Sequence, residues 1–199
     1  MKTRSLLESS IVAYVALGLV VAFGGCASTK MTSTWTDPSA KGASLSKVAV
    51  VCLTKDPAVR RMTEDTAASQ LAGAQAVPSY QVVDDADIQD RDALKGKLLA
   101  QGFQGVLLMQ IAGVTERMSR PRYGVIGDDY AWGEVIAYRP TFPRPEAVVH
   151  VVSDLYSLQE GKVIWSGVSQ TFNPATAKEF MASASKAVAK AIQKDRLVL

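Results

Sequence analysis

Val48-Ala49-Val50-Val51-Cys52-Leu53, with Asp56-Pro57 close behind, is the stretch that decides the fold. A short continuous apolar run rich in β-branched residues suits a buried strand. Asp56 then supplies a helix N-cap, and Pro57 fits the first helical position, where a missing N–H costs nothing. A buried strand feeding a capped helix opens a β-α unit.

The alternation continues downstream. Val59, Met62, Ala67, Leu71 and Ala74 fall on one arc of a helix over 57–74, and Tyr80 to Val83 reads as a second strand. A second helix spans 90–101, with Leu94, Leu98 and Leu99 inward and Gly102 at its C′ position. Gly105 to Met118 starts as a buried strand at Val106-Leu107-Leu108-Met109 and turns polar. Val148–Leu158 and Val163–Phe172 are strands flanking Gln159-Glu160-Gly161-Lys162, where Gly161 takes the positive-φ place of a tight turn. Asn173-Pro174 repeats the cap-then-proline signature before a last helix. Its stripe is Phe180, Met181, Ala184, Val188 and Ala191, with Lys178, Lys186, Lys190 and Lys194 on the wet side. The order β-α-β-α-β-(insert)-β-β-α predicts an α/β fold: a mixed sheet of about five strands with three helices packed against it.

Upstream, the chain carries an address. Lys2 and Arg4 precede an apolar run from Ile11 to Phe23, with Glu8 as the one acid among them. The run is too short for a membrane-spanning helix, which needs about 20 apolar residues. It fits a secretory signal, whose apolar core of roughly 7–15 residues follows a positive start. Phe23-Gly24-Gly25-Cys26 resembles the bacterial lipobox, although Phe23 is a less usual residue at its place. The alternatives are an ordinary signal peptide with a chance cysteine, or a short buried helix. The lipobox resemblance implies that residues 1–25 are a signal peptide and that Cys26 is diacylated once they are removed. Ala27, in place of Asp, then favours the outer membrane over inner-membrane retention, with the domain facing the periplasm. The mature chain would run over 26–199, long enough for a real core. Cys52 would be its lone unmodified thiol, buried among apolar neighbours.

Residues 27–46 hold nine Ser or Thr in twenty positions. With Cys26 they read as a lipidated tether over 26–46, with a flexible span of roughly 25 Å. Trp35 interrupts it, either docking on the domain or anchoring a partner. The domain itself is expected over 47–199.

Composition and motifs exclude more than they assign. The balance of 22 basic and 19 acidic residues gives a net charge of +3, which disfavours a nucleic-acid binder. Two cysteines make neither a disulfide scaffold nor a four-ligand zinc site. The nucleophile-elbow, P-loop, dinucleotide and HExxH patterns are absent from the sequence. His150, the one histidine, sits mid-strand with no serine in elbow context, and reads as a hydrogen-bonded or half-exposed strand residue. Asp84, Asp85, Asp87, Asp90 and Asp92 fail the EF-hand spacing and read as helix caps. Asp128-Asp129 shows no cleft signal for glycoside chemistry. These readings predict a non-enzyme without metal or cofactor.

The insert over 118–145 is the informative segment. It carries five of the chain's 14 aromatic residues and four of its ten arginines. Tyr, Trp and Arg dominate binding hot spots, so Tyr130, Trp132, Tyr138 and Arg139 are the candidate contacts for an envelope protein or cell-wall partner. The other reading is a loop folded over the sheet edge as a small satellite cluster. A small-ligand domain, or a subunit of an envelope assembly or secretion complex, is the alternative function.

The lipobox, Thr34-Trp35-x-Asp37-Pro38, and Leu155-Tyr156-x₅-Gly161-Lys162-Val163-Ile164-Trp165-Ser166 with Thr171-Phe172-Asn173-Pro174 resemble small proteobacterial outer-membrane lipoproteins of unknown function. The hairpin phrase is also similar to accessory lipoproteins with a TolB N-terminal type of domain. The curli-secretion and penicillin-binding-protein-activator lipoproteins are of that type. The resemblance implies an accessory role and brings no catalytic residues. The hairpin phrase also has a structural account: Gly161 makes the turn and Trp165 packs across the sheet.

Overall fold

Local chemistry places most elements where the residue pattern puts them. The computed structural model describes residues 28–40, 44–118, 123–126, 137–140 and 145–198. β1 is Ser28–Thr36 and β2 is Lys47–Leu53. α1 (Pro57–Gln70) starts on Asp56, whose carboxylate accepts from the Ala58 and Val59 amides. β3 (Gln75–Pro78) leads to a short 3₁₀ turn over Ser79–Gln81, then α2 (Asp85–Gln89) and α3 (Arg91–Ala100). β4 (Gly105–Met118) and β7 (Pro145–Ser157) enclose the insert, in which β5 (Tyr123–Ile126) and β6 (Ala137–Pro140) pair as a separate two-stranded ribbon. β8 (Lys162–Phe172) follows a tight turn with Gly161 at φ 68°, and α4 (Ala177–Lys194) closes the order.

The main sheet has six strands in the order β1-β8-β7-β4-β2-β3. β2 pairs parallel with β3 and β4, and the remaining pairs are antiparallel. The fold is therefore the expected mixed α/β sheet. Val48 and Val50 pack with Ala67 of α1, with Leu71 at its C-cap, and with Phe180, Val188 and Ile192 of α4. Ala49 and Val51 pack with Leu94 and Leu98 of α3. Successive residues of β2 thus bury on opposite faces, with α1 and α4 on one side and α3 on the other. Full burial of such side chains is worth about 1.5–3 kcal/mol each.

Trp165 is wholly buried beneath α4. Its indole Nε1 donates to Asp195 at 3.1 Å, and Thr36 Oγ1 donates to the same carboxylate at 2.8 Å. One acid at the end of α4 thereby joins β1 to β8. A Cβ at Gly167 would collide with the Trp165 ring and with Met31. The Trp165-Ser166-Gly167 phrase thus gives the indole a flat bed two residues along its own strand.

Several expectations need correction. The tether expected over 26–46 is, over Ser28–Thr36, an edge strand paired antiparallel with β8. Its Ser and Thr side chains serve the sheet: Thr29 Oγ1 bonds Thr171 at 2.7 Å and also bonds Ser183 of α4. Trp35 lies in that strand, 52% exposed. The strand expected at Tyr80–Val83 is Gln75–Pro78, because Glu64 takes the Tyr80 amide at 3.2 Å and bends the chain there. The first helix stops at Gln70, and Leu99 is exposed. Asn173 does not cap the last helix. It turns the chain at φ 44° and exchanges two 2.9 Å bonds with the Ala147 backbone, leaving Thr176 as the cap. The six-stranded sheet and four described helices exceed the five and three expected.

Candidate functional site

Two places differ from plain packing. The first is a crevice of about 520 Å³ lined by Cys52, Leu53, Thr54, Lys55, Pro57, Arg60, Asp85 and Ile88. It opens where β2 leaves the sheet towards α1 on one face and β3 leaves towards α3 on the other. Such switch points, beyond the carboxyl ends of parallel strands, are where open α/β sheets bind ligands.

A buried ionic cluster forms its floor. Glu64 is wholly buried on α1 and accepts from the Cys52 amide at 3.0 Å, Arg60 Nε at 2.9 Å, Ser79 Oγ at 2.7 Å and the Tyr80 amide at 3.2 Å. The Arg60 guanidinium donates from Nη2 to Ser79 Oγ at 3.0 Å and from Nη1 to Asp85, whose side chain is itself mostly in solvent. Burial works against the Arg60 charge, yet the bonds to Glu64 and Asp85 outweigh it and raise its pKa above the ordinary arginine value. Burial also pushes the Cys52 thiol upward. Cys52 therefore sits at the crevice as a protonated, poorly nucleophilic group. The crevice offers one anchored cation, a second at Lys55, and apolar walls at Leu53 and Ile88. It suits binding of a small anionic or amphiphilic molecule better than nucleophilic chemistry.

Sequence reasoning missed Arg60 and Glu64. A signal was present: an i,i+4 ion pair that, with Ala67 and Leu71, lies on the buried side of α1. Charges on an inward arc are rarely left without partners.

The second place is an arm. β2 pairs with β4 only as far as Gln110, and β8 pairs with β7 only as far as Val148. Beyond those points β4 and β7 continue together to Met118 and Pro145. The register places Ile111, Val114 and Met118 on one face of the arm with Val149, Ala147 and Pro145. Ile111, Val114 and Met118 are 39%, 63% and 61% exposed. The opposite face is polar: Thr115 bonds His150 Nε2 at 2.8 Å, Arg117 pairs with Glu146 at 3.2 Å, and the Arg117 guanidinium stacks on Phe172.

Of the sequence-predicted contact residues, Tyr138 and Arg139 lie in β6, opposite Val125 and Gly124. Tyr130 and Trp132, and the lipidation candidate Cys26, lie outside the described residues. His150 is half-buried and hydrogen-bonded through Thr115, as read from its strand setting. The acidic cluster works as caps and pairs. Asp90 accepts from the Asp92 and Ala93 amides, and Asp87 bonds Lys97 at 2.6 Å, which lowers the Asp87 pKa. Among the described residues no three His, Cys, Asp or Glu side chains converge as metal ligands, and no helix is long and apolar enough to cross a membrane.

No protein family and no curated protein matches the chain. Some solved structures align over much of the chain. Two structures of the PelC dodecamer from Paraburkholderia phytofirmans superpose with TM-scores of 0.43 and 0.42, at 18% and 19% identity. They cover 87% and 86% of this chain and 99% and 97% of theirs. Lipoprotein GNA1162 from Neisseria meningitidis superposes with a TM-score of 0.38 at 18% identity, over 75% of this chain and 99% of that one. Likenesses of this size say nothing of activity.

Proposed function

We propose that this chain is a lipid-anchored envelope protein whose α/β domain is a non-catalytic binding or accessory module. The observation that carries the reading is the junction at the start of β1. β1 starts at Ser28, two residues after the lipobox-like Phe23-Gly24-Gly25-Cys26, with a signal-like apolar run earlier in the sequence. An acylated Cys26 would hold the domain at the surface of the outer membrane, and two or three acyl chains make such anchoring nearly permanent. Tyr130, Trp132, Tyr138 and Arg139 supply the contact chemistry for an envelope partner. The intact mass of protein from a native envelope fraction is expected to start at Cys26 with acyl chains, and to lose them in Cys26→Ser. Trp132→Ala with Arg139→Ala is expected to erase the partner's cross-links in membranes. An unacylated mass, or unchanged cross-links, would each remove the corresponding part of the reading.

The crevice favours a second reading, in which the domain also captures a small anion beside Arg60 and Lys55. Saturating butyrate at fixed ionic strength is then expected to raise the melting temperature by a few degrees, and Lys55→Gln to reduce that rise. Equal shifts with chloride would dismiss it.

A further inference from the structure

We propose that the apolar face of the β4–β7 arm, formed by Ile111, Val114 and Met118, lies in the headgroup region of the membrane that holds the acyl chains of Cys26. The inference rests on the anchored reading above and adds which part of the fold touches lipid.

The register supplies the direction. Ser28 pairs with Phe172, Phe172 with Val148, and Val148 with Thr115, so these four residues form one row across β1, β8, β7 and β4. From that row β1 runs away into the domain, while β4 and β7 continue on the opposite side, towards Met118 and Pro145. The start of β1 therefore sits at the level where the arm leaves the sheet.

The lengths agree as well. Met118 lies three residues beyond Thr115, about 10 Å at strand rise. Cys26 lies two residues before Ser28, at most about 7 Å of extended chain. An acylated Cys26 thus brings the bilayer surface to the level of Met118. Ser28–Thr36, which a long tether would have to include, is the strand β1.

The surface chemistry matches that level. One face of the arm is an uncovered apolar row, and the other carries Thr115, Arg117, Glu146 and His150. Amphipathic helices with that division lie along the interface with the apolar side buried about 5–10 Å, and the arm laid along the surface would bury its apolar row in the same way. Glu116 shares the apolar face, between Val114 and Met118, and is exposed. Its carboxylate sets the contact at headgroup depth and keeps the arm out of the hydrocarbon core.

The test uses the intact lipidated protein in vesicles of phosphatidylethanolamine and phosphatidylglycerol. An environment-sensitive fluorophore is attached in turn at Val114→Cys, Met118→Cys and Thr115→Cys. Cys52 is buried and stays unlabelled. Lipids bearing a shallow spin label are expected to quench the probes at 114 and 118 at least threefold more than the probe at 115. These positions are exposed, so an unchanged melting temperature confirms that the fold is kept. Equal or absent quenching on protein whose mass shows acylated Cys26 overturns the arm's placement and leaves the anchor standing. A mass without acyl chains overturns the anchor and the placement with it. Probes at 114 and 118 that are shielded without quenching, in a particle of multimeric mass, would show that a second copy covers the face, and would also overturn the proposal.

Discussion

Glu64 is the side chain with most depending on it. Its two oxygens take the last amide of the β2 core, the second amide after β3, a serine and an arginine. Removing a partner from a buried charged pair costs about 3–5 kcal/mol, because the remaining charge is stranded. Glu64→Ala is therefore expected to lower unfolding free energy in urea titrations by about 3 kcal/mol or more. Arg60→Met with Glu64→Leu should recover only part of that loss, since the Cys52 and Tyr80 amides stay unpaired. The pair is legible as residues, for its spacing is plain. Its burial is not, because an i,i+4 ion pair on a helix reads equally well as a solvated face. Asp37 shows the same gap between residue and role. Hydrogen bonds from Lys162 and Ser39 lower its carboxyl to about 2, tying the exit of β1 to β8, and nothing in Thr36-Asp37-Pro38 names Lys162.

At the scale of elements, periodicity and caps carry most of the information. The βα unit at 48–57, the hairpin about Gly161, the insert between Met118 and Pro145 and the stripe of α4 all stand where their residues put them. β1 escapes the pattern because edge strands carry one buried face at most, and its Ser and Thr residues share the composition of a linker. Only the bond partners, Thr171 on β8 and Ser183 on α4, separate the two. The residue pattern misplaces β3 because Glu64, on another element, decides where that strand ends. The strand assignment for 28–36 has a direct check. Amides over 29–36 are expected to exchange with the slow units of the sheet, and trypsin to spare Lys30, whose backbone is paired with Gln170, while cutting at Lys55 in the loop after β2. Rapid exchange there would return the segment to a tether and would lengthen the reach from Cys26 that the arm's placement uses.

For the whole molecule, class and topology are within reach of the residue pattern, and the sites are not. A crevice at a switch point needs the strand order, and the arm needs the register of four strands; neither is a local property. Tyr130 and Trp132 stand out only as composition. One feature of the architecture reaches beyond binding. The first and last described segments close the core together: β1 lies on β8, Leu45 bridges Val198, and Leu197 and Ile192 are wholly buried. Trp165 has no cover until α4 arrives behind it. A nascent chain that still lacks α4 cannot complete this core, and contacts of such long sequence separation form slowly in any case. A polypeptide threaded across a membrane must stay unfolded until its tail has passed. This fold meets that condition through its own topology, since its core stays open until α4, the last of the described elements in chain order, has arrived.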